Sequence, residues 1–241
     1  MSQYSYGKNV VRSLLNNQKE ILTLYIQLGR KDDEIEKLAR KQNVPIIYAN
    51  RKEMDSLVDG NHQGYIAEIK DYRLYSLDEI TSAIPEGKLP LLVALDGIQD
   101  PHNLGAVLRT MACVGGDGVI IEKNRSVSLN GTVAKVSVGA IDTVKVAQVT
   151  NLAQTLNRLK EQGYWIVGTD MTDAQDYRTL KYDMPVVLVI GAEGTGMRRL
   201  IAETCDFKVK LPMEGEFDSL NASVACGILL YQIYSQRFPP E

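Results

Sequence analysis

Leu211-Pro-Met-Glu-Gly-Glu-Phe-Asp-Ser-Leu-Asn-Ala-Ser-Val-Ala-Cys-Gly-Ile-Leu-Leu-Tyr-Gln-Ile233 is the stretch on which the reading of this chain turns. It predicts the end of a short strand near Leu211–Pro212, a polar glycine-bearing loop, and a helix of small residues beginning near Ser219. Within that helix Leu220, Val224, Gly227, Ile228 and Tyr231 recur at the three-and-four spacing of one face, which we expect in the core. Ala222, Ser223, Ala225, Cys226 and Gly227 keep the first turns thin enough for a backbone or a flat ligand to approach. Ser219 or Asp218 is suited to cap the first amides. Alone, the segment is an ordinary C-terminal core helix.

Two earlier stretches add to it. Val186-Val-Leu-Val-Ile190 is apolar on both faces, as in a parallel strand covered by helices. Gly191-Ala-Glu-Gly-Thr-Gly196 follows it and precedes a helix, so its amides are placed to face a ligand at the carboxyl edge of a sheet. No Gly-Lys-Ser/Thr follows, which excludes a Walker loop, and the order G-x-x-G-x-G is not that of a dinucleotide fingerprint. Without other support the loop is a tight strand-to-helix turn. In Leu95-Asp-Gly-Ile-Gln-Asp-Pro-His-Asn-Leu-Gly-Ala-Val-Leu-Arg-Thr110, Asn103 stands where a helix begins and is a good cap. Arg109, on the same face as Gly105, reads as a solvent-facing arginine.

The 241 residues suffice for one large or two small domains. Hydrophobic content of 44% and charge of 24% are ordinary for a globular protein. No apolar run is long enough to cross a bilayer, and Met1 to Tyr6 lacks the pattern of a signal peptide, so we expect a cytoplasmic protein with no membrane partner. Cys113, Cys205 and Cys226 are odd in number and set among apolar residues, which predicts buried reduced thiols. His62 and His102, the two histidines, have no metal-ligand spacing, and no metal is expected. The net charge of −3 excludes a simple nucleic-acid coat protein but not an RNA enzyme. Through Lys70 there are 11 basic against 9 acidic residues and thereafter 16 against 21, a small asymmetry that leaves the N-terminal part the less acidic.

Before Lys70 the pattern predicts an αβαβαβ unit. Its helices are Asn9 to Asn17 (Val10, Val11 and Leu14 inward), Asp32 to Gln42 (Ile35, Leu38 and Ala39 inward) and Glu53 to Val58. Its strands are Ile21 to Gln27, Pro45 to Ala49 and Gly64 to Ile69, the last with Tyr65, Ala67 and Ile69 alternating against Ile66 and Glu68. Gly60 and Gly64 read as turn residues, and His62 as a loop hydrogen bonder. From Asp71 to Pro90 periodicity fades and Pro85, Gly87 and Pro90 suggest a linker. Beyond it strands are expected at Leu91–Leu95, Gly118–Ile121, Thr143–Ala147, Tyr164–Gly168, Val186–Ile190 and Lys208–Leu211. Helices are expected from Leu104, from Thr132, over Leu152–Gln162, and from Met197.

The stretches Leu95–Thr110, Val186–Met197 and Ser219-Leu-Asn-Ala-Ser223 resemble, in order and spacing, the three motifs of the SpoU (TrmH-like) family of RNA ribose 2'-O-methyltransferases. The resemblance runs from about Leu91 to Phe238. It implies an α/β-knot (SPOUT) domain over 91–241, its C-terminal segment threaded as a trefoil knot, a rare exception to the rule against threading. Residues 1–70 are similar to the L30e-like RNA-binding domain of the branch that methylates guanosines of bacterial 23S rRNA, with 71–90 as linker. The resemblance further implies S-adenosyl-L-methionine as cofactor, with Gly191, Leu211 and Leu220 as contacts, Ile190 and Met213 beside them and Thr169 a further candidate. It implies Asn103, Arg109, Glu193, Ser219 and Asn221 at the acceptor ribose, and a homodimer in which Arg109 reaches the partner's site. The reaction is in-line attack of a ribose 2'-hydroxyl on a sulfonium methyl, for which positioning supplies much of the acceleration. Because the arginine pKa lies above about 12, its role is open between phosphate-assisted proton acceptor and stabiliser of the developing alkoxide. The alternatives are a tRNA ribose methyltransferase and a non-catalytic RNA-binding ribosome assembly factor. An NAD-dependent enzyme lacks its glycine fingerprint and acidic partner.

Overall fold

The computed structural model describes residues 3–16, 21–30, 33–69, 72–171, 173–215 and 219–240, so expectations that touch Asn17, Asp32, Lys70, Asp71 and Asp218 fall outside it. The chain divides into two compact units, Met1–Tyr72 and Arg73–Glu241.

The first unit runs β1 (Gln3–Tyr6), α1 (Lys8–Asn16), β2 (Ile21–Gln27), α2 (Asp33–Lys41), β3 (Ile46–Ala49), α3 (Arg51–Leu57) and β4 (Tyr65–Ile69). Its sheet has the order β1-β4-β2-β3, with β4 antiparallel to β1 and β2, and β2 parallel to β3. β1 was not expected, because Gln3-Tyr-Ser-Tyr6 holds no aliphatic or β-branched residue to mark a strand. β4 buries both faces. Tyr65, Ala67 and Ile69 pack with Leu24, Ile26 and Ile35, while Ile66 packs against Ala49 and Met54 on the other side. In α1 the inward residues are Val11, Leu14 and Leu15, and Val10 is exposed, one position off the stripe. An Asn50–Glu53 capping box starts α3. The buried His62 accepts the Gly64 N–H at Nδ1 (3.0 Å), which leaves Nε2 to donate to Asp55 (3.0 Å) and fixes the turn into β4.

The second unit continues with α4 (Leu77–Thr81), β5 (Leu91–Asp96), α5 (Pro101–Cys113), β6 (Gly118–Glu122), α6 (Gly131–Ser137), a 3-10 turn at Ala140–Asp142, β7 (Lys145–Val149), α7 (Leu152–Glu161) and β8 (Trp165–Thr169). It closes with β9 (Gln175–Asp176), β10 (Val186–Gly191), α8 (Arg199–Thr204), β11 (Phe207–Lys210) and α9 (Ala222–Arg237). These strands form one parallel sheet ordered β7-β6-β5-β10-β8-β11-β9. β5, β6 and β10 are buried at every position, the pattern of strands covered on both faces.

Three expectations are corrected here. Residues 73–90 belong to the second unit: a Ser76–Glu79 capping box starts α4, and Leu77 and Ile80 are buried in the core with Leu92, Ile120 and Leu156. The inward face of α9 is Ala222, Cys226, Leu229, Leu230 and Ile233, whereas Val224, Ile228 and Tyr231 are 49%, 37% and 53% exposed. Both rows are apolar at helical spacing, so spacing alone could not choose between them. Cys113, the last residue of α5, is exposed; Cys205 is half-buried and Cys226 buried, and burial pushes both of those thiols up to about 12.

The C-terminal end of α9 is fastened to the amino edge of the sheet by Arg237. Its guanidinium donates to the carbonyls of Tyr182 (3.0 Å), Leu89 (2.9 Å), Pro90 (3.2 Å) and Met184 (2.6 Å), just ahead of β5 and β10. Arg237→Met keeps the aliphatic stem and removes every donor. We expect a loss of about 2–3 kcal/mol, read from urea denaturation; unchanged stability would show that the clamp is dispensable.

Candidate active site

The carboxyl ends of β5 and β10 meet in register, Gly191 opposite Asp96. Just past Gly191 the chain doubles back. Ala192 and Gly196 exchange backbone hydrogen bonds (3.1 and 2.8 Å), with Gly194 and Gly196 at φ +78° and +67°, a region that favours glycine. The returning strand lies directly on the outgoing one: a Cβ at Gly191 would stand 2.2 Å from the Gly196 carbonyl carbon and 2.3 Å from the Met197 nitrogen. Gly191 is therefore required first by its own loop.

On one side of this loop lies a cleft of about 370 Å³. Thr169, Ile190, Gly191, Leu211, Met213 and Leu220, all six residues expected at a cofactor, line it, together with Glu193 and Ser219. Leu211 comes just after β11 rather than inside it, so its backbone is free of the sheet ladder. The Thr169 hydroxyl donates to the Val189 carbonyl at 3.4 Å.

On the other side is a second cleft of about 590 Å³, lined by Asp96, Asp100, Asn103, Arg125 and Arg198. Ala192, Glu193, Thr195 and Gly196 line both clefts, so the loop is the wall between them. Asn103 does not cap α5. Asp100 does, accepting the His102 N–H at 2.9 Å ahead of Pro101, which leaves Asn103 7% exposed with no hydrogen-bond partner for its carboxamide among the described residues.

The start of α9 is also corrected. Asn221, not Ser219, is its cap: Oδ1 accepts from the Ser223 N–H (3.0 Å), the Val224 N–H (3.3 Å) and the Ser223 hydroxyl (2.7 Å). The same side chain donates from Nδ2 to Glu193 Oε2 at 3.2 Å, tying the helix start to the loop. Ser219 is thereby left to the first cleft. Arg109 is exposed on α5, lines neither cleft, and has no hydrogen bond or ion pair among the described residues. Gly105, four residues before it, faces inward, where a Cβ would stand 2.7 Å from Val136.

Sequence reading missed the ion cluster beneath the second cleft. Arg198 donates through its backbone N–H to Asp96 Oδ2 (2.7 Å), through Nε to Asp96 Oδ1 (2.6 Å) and through Nη2 to Glu122 Oε2 (2.6 Å), and both carboxylates are buried. Burial works against the guanidinium charge, but the hydrogen bonds to Glu122 and Asp96 outweigh it and hold the Arg198 pKa above its ordinary value. The only signal in the sequence is an acidic residue closing each of two apolar strands, which names no partner 76 or 102 residues away.

The fold is a parallel α/β domain with two clefts at the carboxyl edge of its sheet, the edge at which ligand sites of such domains are found. The model of the SpoU rRNA methylase family matches residues 90–231, and that of the RNA 2'-O ribose methyltransferase substrate-binding domain matches residues 4–75. The chain belongs to the SpoU rRNA methylase family of RNA methyltransferases. It is 46% identical, over 98% of its length and 96% of the relative's, to YacO of Bacillus subtilis (strain 168), a protein assigned to the TrmH family of tRNA/rRNA methyltransferases. A crystal structure of an S-adenosylmethionine-bound rRNA methyltransferase from Sinorhizobium meliloti is 25% identical, covering 99% of this chain and 88% of that one, with a TM-score of 0.67. The TrmH/SpoU tRNA-modifying enzyme of A. aeolicus is 33% identical, covering 62% of this chain and 76% of that one, with a TM-score of 0.58.

Removing one member of the ion cluster leaves buried charge unpaired. Asp96→Ala is expected to cost about 3–5 kcal/mol in chemical denaturation, well beyond an exposed substitution such as Asp100→Ala, where only a helix cap of about 1 kcal/mol is lost. Equal losses at the two positions would contradict a buried cluster.

Proposed function

We propose that this protein transfers a methyl group from S-adenosyl-L-methionine to a ribose 2'-hydroxyl of structured RNA, a guanosine of 23S rRNA, and that it works as a homodimer. The observation that carries the reading is the single loop, 192–196, that walls both clefts. A donor on one side and an acceptor on the other meet at Glu193.

The first cleft suits the cofactor. Its volume lies within the range of small-molecule sites, roughly 300–1,000 Å³, and Leu211, Leu220, Ile190 and Met213 offer apolar walls for an adenine face. When bound, S-adenosylmethionine supplies a methyl group on a positively charged sulfur. The rest falls to the chain. Asn103 lines the second cleft with its carboxamide bonded to no described residue, so its donor and acceptor are free to meet an acceptor ribose there. Glu193 is oriented by Asn221 at the crossing point, and Ser219 borders the donor side. The 2'-hydroxyl must give up its proton, to a neighbouring phosphate or to water, as it takes the methyl group, and Arg109 is the residue we assign to that ribose, either assisting the proton transfer or stabilising the developing alkoxide.

Arg109 lies outside its own chain's clefts, which favours delivery from a second copy. The outer row of α9, Val224, Ile228 and Tyr231, continued by Tyr234 and Phe238, is an exposed apolar face that such a copy would cover. The trefoil threading of the C-terminal segment and a cytoplasmic setting belong to the same proposal. The N-terminal unit, matched by a substrate-binding model, supports RNA recognition by that unit, and its L30e-like reading favours rRNA over tRNA.

Gly191→Ala must displace the backbone at Gly196–Met197, so S-adenosylmethionine binding by calorimetry should fall at least roughly tenfold, since a shift of this size costs more than 1.4 kcal/mol; wild-type affinity would remove Gly191 from the site. Arg109→Ala should fold normally, within about 0.5 kcal/mol of wild type, bind the cofactor, and lose incorporation of labelled methyl into rRNA transcripts. Mixing Arg109→Ala with Gly191→Ala subunits should restore part of that incorporation, because each heterodimer holds one site with an intact arginine and an intact loop. No recovery, with heterodimers shown to form, would refute the shared site.

A further inference from the structure

A third cleft, of about 400 Å³, opens beside the acceptor cleft at the carboxyl ends of β6 and β7. Leu152, Ala153 and Ile201 form its apolar floor, Leu200 an exposed flank, and Asn124 and Thr150 its polar rim. Arg125 and Arg198 line both this cleft and the acceptor cleft, so the two are adjoining chambers with a shared wall.

The two arginines of that wall differ in what they can do. Arg198 is committed to Asp96 and Glu122. Arg125 is exposed and has no hydrogen bond or ion pair among the described residues. The acceptor cleft otherwise presents the carboxylates of Asp96, Asp100 and Glu193, an unfavourable lining for a polyanion. A chain of phosphodiesters entering it needs a cation at the entrance, and Arg125 is the uncommitted one. Guanidinium donors match phosphate oxygens in a planar, two-pronged geometry, and an apolar floor with amide and hydroxyl groups at the rim suits a base face and its edge.

We infer that this third cleft is a second nucleotide subsite, which holds the nucleotide next to the acceptor, with Arg125 binding the phosphodiester between the two. The inference rests on the RNA-acceptor reading of the neighbouring cleft. It makes Arg125 a positioning residue for RNA, outside the donor cleft and the chemistry.

The full-length protein is tested with unmodified in-vitro-transcribed 23S rRNA and, separately, with bulk unmodified tRNA. For whichever RNA the wild type methylates, Arg125→Gln should raise KM and the RNA dissociation constant roughly tenfold, as expected for a lost charge-assisted hydrogen bond. It should also lower the slope of log affinity against log salt by about one. The kcat, the affinity for S-adenosylmethionine and the melting temperature should stay at wild-type values. Thr150→Trp, which fills the third cleft from an exposed rim position, should raise KM without changing the salt slope. An unchanged KM and slope in Arg125→Gln, or a fall in kcat alone, would overturn the assignment while leaving the methyltransferase reading intact. A wild type that transfers methyl to neither RNA would overturn both.

Discussion

The contact of backbone on backbone at Gly191 is the constraint on which the site depends. With no Cβ at that position, the returning segment Gly196–Met197 lies against the end of β10, and the loop becomes a thin partition rather than an open turn. A thick loop would leave the same two clefts but separate them. Thinness is what lets the two clefts share Ala192, Glu193, Thr195 and Gly196 as a single wall.

The partition is thin and glycine-rich, so its rigidity has to come from its surroundings. Asn221 holds it from α9, through a side chain that also satisfies the first amides of that helix. Arg198, just after the loop, is anchored by Asp96 and Glu122 at the ends of β5 and β6. Arg237 secures the far end of α9 to carbonyls ahead of β5 and β10. A buried ion pair is weak evidence for stability, because desolvation offsets much of the attraction. Its value here is geometric: two carboxylates with fixed positions determine where α8 begins and where the loop must return.

Much of this was legible in the residues, and the reasons differ from place to place. Runs such as Val186–Ile190 announce parallel strands because both faces are apolar, and the six residues that the resemblance implies for a cofactor all fall among those lining the first cleft. The orientation of α9 was not legible, since Leu220, Val224, Ile228 and Tyr231 and the row Ala222, Cys226, Leu229 and Ile233 are equally regular; only packing on α5 decides between them. Caps were misassigned to Asn103 and Ser219 for a related reason. Each stands among other capping residues, and Asp100 and Asn221 won by position. Residues 73–90 read as a linker because α4 has five residues, too few for periodicity to register. The Asp96–Arg198–Glu122 cluster and the Arg237 clamp join positions far apart in the chain, information that spacing does not carry.

The central claim is that one partition brings a methyl donor to an RNA ribose. It is tested most directly by mapping 2'-O-methylated riboses across rRNA and tRNA from cells with the protein, without it, and with Arg109→Ala in its place. The account predicts that one ribose of 23S rRNA loses its methyl group in both the deletion and the substitution, all other modified riboses being kept. Retention of every ribose methyl group in the deletion, or the loss of one from tRNA instead, would contradict it.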